Sequence, residues 1–210
     1  MSSGIHLSFD LDGTIVDSLA ITVAILNDMI QDRKGTPVSL TEVRPLMGVG
    51  GPNLINRLLG TVALAPQQDI AEFRQRYLIT DTPWESIYPG VIETLPVLKS
   101  RGYTITLCSN KARNICCKIL QDLGIDQYFE SIVGGEITHK PHVDHWHAVI
   151  NQLTPHAQHY YIGDSDIDQA FCQTADLAFV HAQYGYGQLD SQMNVCYTIT
   201  RFDQLTEIFT

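Results

Sequence analysis

His6-Leu7-Ser8-Phe9-Asp10-Leu11-Asp12-Gly13-Thr14-Ile15-Val16-Asp17-Ser18 begins as a short apolar run and ends in two carboxylates spaced two apart. A glycine and a hydroxyl residue follow at once. Such a run reads as a buried strand that delivers Asp10 and Asp12 to its C-terminal end. In an open α/β sheet that end faces the crevice where ligands bind. Two like charges so close repel each other unless they share a cation or a proton.

Working outward, the residues after Thr14 change character. Asp17 or Ser18 caps an expected helix over 19–33, which Gly35 and Pro37 end. Ser39 with Glu42 three later is a capping box for a second helix. A glycine-rich turn, 48–51, precedes a short helix near 53–59, and 67–79 is helical with Ile70, Phe73, Tyr77 and Leu78 along one face. No strand is expected in this stretch. Residues 16–85 are therefore read as a small all-helical insertion. From Tyr88 onward helix and strand alternate: helices at 91–101, 111–123, 143–153 and 165–174, strands at 103–108, 131–133, 159–162 and 177–180. A last strand and a short helix occupy 195–210. This alternation predicts an α/β core with a Rossmann-like parallel sheet and helices on both faces, built from 1–15 and 86–210.

Composition narrows the partners. The 210 residues are 44% hydrophobic and 17% charged, which is enough to bury a core. A net charge of −10, from 13 Lys+Arg against 23 Asp+Glu, argues against nucleic acid or an anionic membrane as partner. An anionic substrate must then be held by local positive charge, a metal or backbone N–H groups. No apolar run is long enough to span a membrane, and no signal peptide is read at the start. Five cysteines without a C-x-x-C pair fit a reducing cytoplasm. The expected assembly is a monomer or homodimer.

The polar groups recur at strand ends. Asp10 and Asp12 end the first strand, Ser109-Asn110 the second, and Asp164 with Asp166 and Asp168 the fourth; Lys140 follows the third. Phosphoryl transfer uses such a set. A carboxylate such as Asp10 can attack phosphorus and form an acyl phosphate. Mg²⁺ takes hard oxygen ligands, for which Asp10, Asp164 and one backbone carbonyl suffice. Asp12 can protonate the leaving alcohol and later deprotonate water. Ser109, Lys140 and nearby N–H groups can hold the non-bridging oxygens.

Phe9 to Ser18 resembles the first signature of the haloacid dehalogenase superfamily of phosphohydrolases. Ser109-Asn110-Lys111, Lys140-Pro141 and Gly163-Asp164-Ser165-x-x-Asp168 resemble its other signatures, in order. The insertion is similar to the helical cap of the phosphoglycolate phosphatase-like branch, and Tyr184-Gly185-Tyr186-Gly187 is similar to that branch's Trp-Gly-Tyr-Gly. The resemblance implies Asp10 as nucleophile and metal ligand, and Asp12 as acid/base that also lends its carbonyl to the metal. It implies Asp164 as a further ligand and Asp168 as an outer carboxylate. Ser109, Asn110, Lys140 and Gly13 become the phosphate-binding groups. The implied cofactor is Mg²⁺ and the partner a small phosphorylated metabolite, phosphoglycolate-like or a sugar or nucleotide phosphate.

Simpler roles compete at several positions. Ser109 can cap the helix at 111–123, and Asp166 can complement a helix dipole. His139, His142, His145 and His147 crowd one segment, where a transition-metal site is conceivable. Tyr184 to Gly187 can be loop and core, and Cys116-Cys117 can simply pack. Lys34, the insertion's one lysine, sits at an exposed helix end, which disfavours Schiff-base chemistry. Residues 48–51 are the expected specificity segment. Among functions, a phosphosugar mutase of the same superfamily is the nearest rival. A phospho-acceptor signalling domain is the rival from another class, but such a domain lacks the helical insertion.

Overall fold

The computed structural model describes residues 4–47, 51–136, 138–155, 158–190 and 194–210. Strands β1 (Ile5–Phe9), β2 (Thr104–Cys108), β3 (Ser131–Val133), β4 (Gln158–Gly163), β5 (Ala178–Ala182) and β6 (Tyr197–Ile199) form one sheet. Their order is β3-β2-β1-β4-β5-β6, and every neighbouring pair is parallel. The chain steps outward from β1 in one direction and from β4 in the other. The gap between β1 and β4 is therefore the switch point, where a crevice opens at the C-terminal ends of the strands.

β1 is central, and both of its faces are covered. Leu7 and Phe9 are fully buried on one face, where Phe9 stacks on Phe202 with ring centroids 5.6 Å apart. On the other face His6 Nε2 meets Thr106 Oγ1 at 2.8 Å, and Thr106 donates to Ser8 at 3.1 Å. These buried polar groups are thus partnered, which removes most of their desolvation cost.

Helices α1 (Leu19–Asp32), α2 (Leu40–Val43), α3 (Gly51–Leu59) and α4 (Pro66–Ile79) all lie between β1 and β2 in the chain. Helices α5 (Val91–Ser100), α6 (Arg113–Asp122), α7 (Val143–Ile150), α8 (Asp166–Ala175) and α9 (Leu205–Ile208) belong with the sheet. α5, α6 and α9 bury Leu95, Ile119 and Leu205 in the same core as Leu7 and Phe9. α7 and α8 bury Trp146 and Phe171 in a second core against Tyr161 and Phe179. Helices thus cover both faces, as a parallel sheet requires.

The helical block leaves and returns at one place. Asp17 N–H donates to Ser86 O at 2.6 Å, and Tyr88 N–H to Ile15 O at 3.0 Å. Val16 bridges Ile87 in antiparallel fashion, so the two crossing segments run side by side. Inside the block, Arg33 pairs with Asp69 at 2.7 Å and with Glu72 at 2.6 Å. Asp69 is fully buried and also accepts from Asn56 (2.8 Å) and Leu64 N–H (3.1 Å). The Ser39–Glu42 capping box opens α2.

Two local readings are corrected. α6 begins at Arg113 with Ala112 at its cap, so Ser109 does not cap it. The Ser109 hydroxyl instead accepts from Lys111 N–H at 3.3 Å within the preceding turn. In α4, Ile70, Phe73 and Tyr77 are buried, but Leu78 lies one residue round the helix and is exposed.

Candidate active site

The strand ends set the site. β1 releases Asp10, and β4 releases Asp164, on either side of the switch point. Asp10 N–H still donates to Ile162 O at 2.9 Å, so its carboxylate is fixed by the sheet ladder. Asp10, Asp164 and Asp168 are all buried, and each offers an oxygen within 4.8 Å of the others'. Among the described residues no other His, Cys, Asp or Glu group converges this way.

Lys140 threads between these acids. Its Nζ lies 2.6 Å from Asp168 Oδ1, 3.0 Å from Asp10 Oδ1 and 2.7 Å from the Tyr161 hydroxyl. That hydroxyl donates onward to Cys108 O at 2.6 Å. Asn110 clamps the backbone of Lys140, accepting from its N–H at 2.7 Å. The Asn110 side chain therefore positions the lysine.

Asp168 owes its place to a local pattern. Ser165 caps α8, and Asp168 at the third helical position completes a capping box with it. Asp168 Oδ2 accepts from Ser165 Oγ (2.7 Å), Ser165 N–H (3.1 Å) and Asp164 N–H (3.2 Å). Both of its oxygens are thus occupied, one by the helix cap and one by Lys140.

Asp164 is held from the other side by the Tyr184–Gly187 loop. Tyr186 N–H and Gly187 N–H donate to its Oδ2 at 2.6 and 3.2 Å. A Cβ on Gly185 or Gly13 would fall on the Asp164 carboxyl group, and Gly13 also has a φ of +80°. Gly13 N–H donates to Val16 O at 2.9 Å. At Gly13 the lack of a side chain allows the close approach to Asp164. The loop is tied down further by Tyr184 to Thr14 O (2.8 Å) and Tyr186 to Asp17 (2.7 Å).

Asp12 faces a different set of partners. Lys111 Nζ is 3.0 Å from its Oδ2, and Ser18 donates to its Oδ1. Ser109 and Asn110 line the same cleft as Asp10 and Asp12. The cleft opens to solvent and has a free volume of about 80 Å³.

The electrostatics follow from burial. Burial, with Asp168 and Asp12 adding repulsion and Lys140 opposing it, pushes the Asp10 carboxyl up to about 6. Burial with Asp168 and Asp10 nearby pushes Asp164 up to about 8, against the two loop N–H groups. Burial alone would lower the Lys140 ammonium, but Asp10 and Asp168 outweigh it and raise it, so Lys140 stays charged. The site carries more negative charge than its lysine balances. A divalent cation among the three carboxylates would relieve that imbalance.

The histidines do not converge. His142 caps α7 and accepts from Asp144 N–H (3.2 Å), His145 turns inward to Thr138 O (2.7 Å), and His147 faces Asp144 at the surface. Among the described residues these histidines form no metal-binding group. Asp166 stands at the start of α8, and Lys34 is exposed. Gly48, Val49 and Gly50 of the expected specificity segment lie outside the described residues, while Gly51 lines the cleft.

Sequence reasoning missed Lys111 as the partner of Asp12, although it closes the quoted Ser109-Asn110-Lys111 run. It also missed Tyr161, whose hydroxyl carries no signal within its strand. Arg74 was missed as well. It breaks the apolar stripe of α4 at the position four after Ile70, which is a legible sign.

The doubly wound sheet with acids at its switch point matches a known class. Residues 7–182 match the model of the haloacid dehalogenase-like hydrolases, and the chain belongs to that family. It is 34% identical over 188 residues to the phosphoglycolate phosphatase of Rhodobacter capsulatus, covering 86% of this chain and 84% of that one. It is 33% identical to the plasmid-borne phosphoglycolate phosphatase of Cupriavidus necator, over 84% of this chain and 80% of that one. A crystal structure described as a predicted phosphoglycolate phosphatase from Haemophilus somnus superposes with a TM-score of 0.83 at 25% identity, over 98% and 97% of the two chains. The protein is thus a phosphoric monoester hydrolase of the phosphoglycolate phosphatase-like branch.

Proposed function

We propose that the protein is a Mg²⁺-dependent phosphatase that hydrolyses a small phosphate monoester of the phosphoglycolate kind through an aspartyl phosphate on Asp10. The observation that carries this reading is the placement of Asp10. It is buried between Asp164 and Lys140, one oxygen 3.0 Å from the ammonium, at the floor of a cleft open to solvent.

Asp10 and Asp164, with the Asp12 carbonyl, would hold Mg²⁺; the buried acids and their raised proton affinity fit a hard divalent cation. When bound, the ion supplies charge neutralisation for the phosphoryl oxygens. An Asp10 oxygen attacks phosphorus and the ester P–O bond breaks, while Asp12 gives its proton to the leaving oxygen. Asp12 then takes a proton from water, whose oxygen attacks the same phosphorus. The P–O bond to Asp10 breaks, and inorganic phosphate and the free carboxylate result. Ser109 and Lys140 hold the non-bridging oxygens as charge shifts. Asp168 keeps Lys140 in line, and Lys111 with Ser18 keeps Asp12 aimed into the cleft.

The test is phosphate release from a panel of small phosphate esters, with and without Mg²⁺, for the native protein and Asp10→Asn. Mg²⁺-dependent release that Asp10→Asn abolishes is the expected result. Release that survives Asp10→Asn contradicts the nucleophile assignment.

A further inference from the structure

Opposite Asp10 and Asp12, the cleft is walled by Ile55, Ile70 and Phe73, and among these stands Arg74. Arg74 shares the inward face of α4 with Ile70 and Tyr77, at helical spacings of four and three. It is half-buried, and among the described residues it makes no hydrogen bond or ion pair. The neighbouring arginines differ: Arg33 pairs with Asp69 and Glu72, Arg76 with Asp32 and Glu72, and Arg44 donates to Gly185 O. A guanidinium held beside apolar side chains with no counter-ion is costly, and the chain's net charge of −10 leaves many acids that could have paired with it.

Burial, with the Arg74 charge adding to it, holds His139 below the usual histidine range. One more polar group waits in the same cleft. Thr22, on α1, is buried with its Oγ1 unpartnered.

We propose that Arg74, aided by the Thr22 hydroxyl, is the specificity-determining group that binds the acid end of a substrate of the phosphoglycolate kind. A guanidinium fork matches a carboxylate in shape. A single cation on an otherwise apolar wall balances one negative charge, which suits a carboxylate better than a second phosphate dianion. The phosphoryl end would then lie at Asp10 and the acid end at Arg74, with the cleft spanning the two. This assignment rests on the phosphatase reading above.

The experiment compares 2-phosphoglycolate with ethyl phosphate, which lacks the carboxylate, for the native protein, Arg74→Met and Arg74→Lys. The native protein is expected to favour 2-phosphoglycolate in kcat/KM. In Arg74→Met that preference should fall roughly 10- to 100-fold, mostly through KM, as for loss of a charged hydrogen bond. Arg74→Lys should restore part of it. Calorimetry in an Asp10→Asn background should show the same loss in affinity for 2-phosphoglycolate. Release of phosphate from neither ester by the native protein would overturn the phosphatase reading and this assignment with it. Cleavage of both esters with an unchanged ratio in Arg74→Met, or with equal losses on both, would overturn this assignment alone.

Discussion

Lys140 Nζ and Asp168 Oδ1 lie 2.6 Å apart in a fully enclosed pair, and the same ammonium lies 3.0 Å from Asp10 Oδ1. Asp168 reaches Lys140 because its other oxygen is fastened to the first turn of α8. A helix cap thereby sets the position of the one buried ammonium beside the proposed nucleophile.

Asp168→Asn should therefore act twice. The buried ammonium loses a charge partner, and the capping box loses its charge-assisted bonds. A loss of about 3 kcal/mol of stability is expected, at the lower end for a broken buried pair because Asp10 remains. Chemical denaturation measures it. A change within ~0.5 kcal/mol would show that the pair contributes nothing net.

Lys140→Met should lower kcat by about 10²- to 10³-fold, the scale for losing one donor to the phosphoryl oxygens. The Asp10 carboxyl should also titrate higher, since Lys140 is the charge that pulls it down against burial. The pH–rate profile of the variant would then shift its acid limb upward. An unshifted limb would mean that Asp10 does not feel this lysine.

Mg²⁺ affinity should weaken as pH falls from about 8 to about 6. Burial and the neighbouring acids raise Asp164 to about 8 and Asp10 to about 6, so protons compete for both ligands in this window. The sign for the metal-free protein is the reverse. Its folded state binds more protons than the unfolded chain between about 4 and 8, so its stability should fall as pH rises there. Calorimetric titration and thermal unfolding across that range check both trends.

His145 gives an opposite pH dependence. Burial, with the Lys140 charge behind it, lowers its imidazole to about 4, against an unfolded value near 6.5. The stability it contributes is complete above about 6.5 and is lost as pH falls toward about 4, at up to roughly 1.4 kcal/mol per pH unit. His145→Gln should flatten the acid limb of the stability curve. A limb of unchanged slope would place the acid sensitivity elsewhere.

Gly185→Ala should weaken metal binding more than folding. The added methyl group would meet the Asp164 side chain and the Gly13 carbonyl, displacing the carboxylate that Tyr186 and Gly187 hold. An unchanged Mg²⁺ affinity, read by calorimetry, would separate Asp164 from the ion.

Much of this was legible in the sequence because it is local. Asp10 and Asp164 each stand just past a run readable as a strand, so their convergence follows from the parallel topology. Ser165-x-x-Asp168 is a cap pattern readable at three-residue spacing. Features carried by tertiary contacts were not legible. Lys111 meets Asp12, and Tyr161 meets Lys140, across separations of about 100 and 21 residues, and no periodicity encodes such pairs. Ser109 as a helix cap failed because Ser, Asn and Lys in sequence read as a helix start, whereas the turn uses the hydroxyl before α6 begins. The histidines disperse for a similar reason. Residues two apart on a short helix point to different sides, inward for His145 and outward for His147.

The most direct measurement is to trap the covalent state on Asp10. Asp12→Ala, which leaves the attacking carboxylate but removes the base that activates water, should accumulate it when acid-quenched after mixing with substrate and Mg²⁺. Mass spectrometry of the peptide bearing Asp10 is expected to show one added phosphoryl group, absent in Asp10→Asn. Full turnover by Asp10→Asn, or a phosphoryl group on any other residue, would contradict the account.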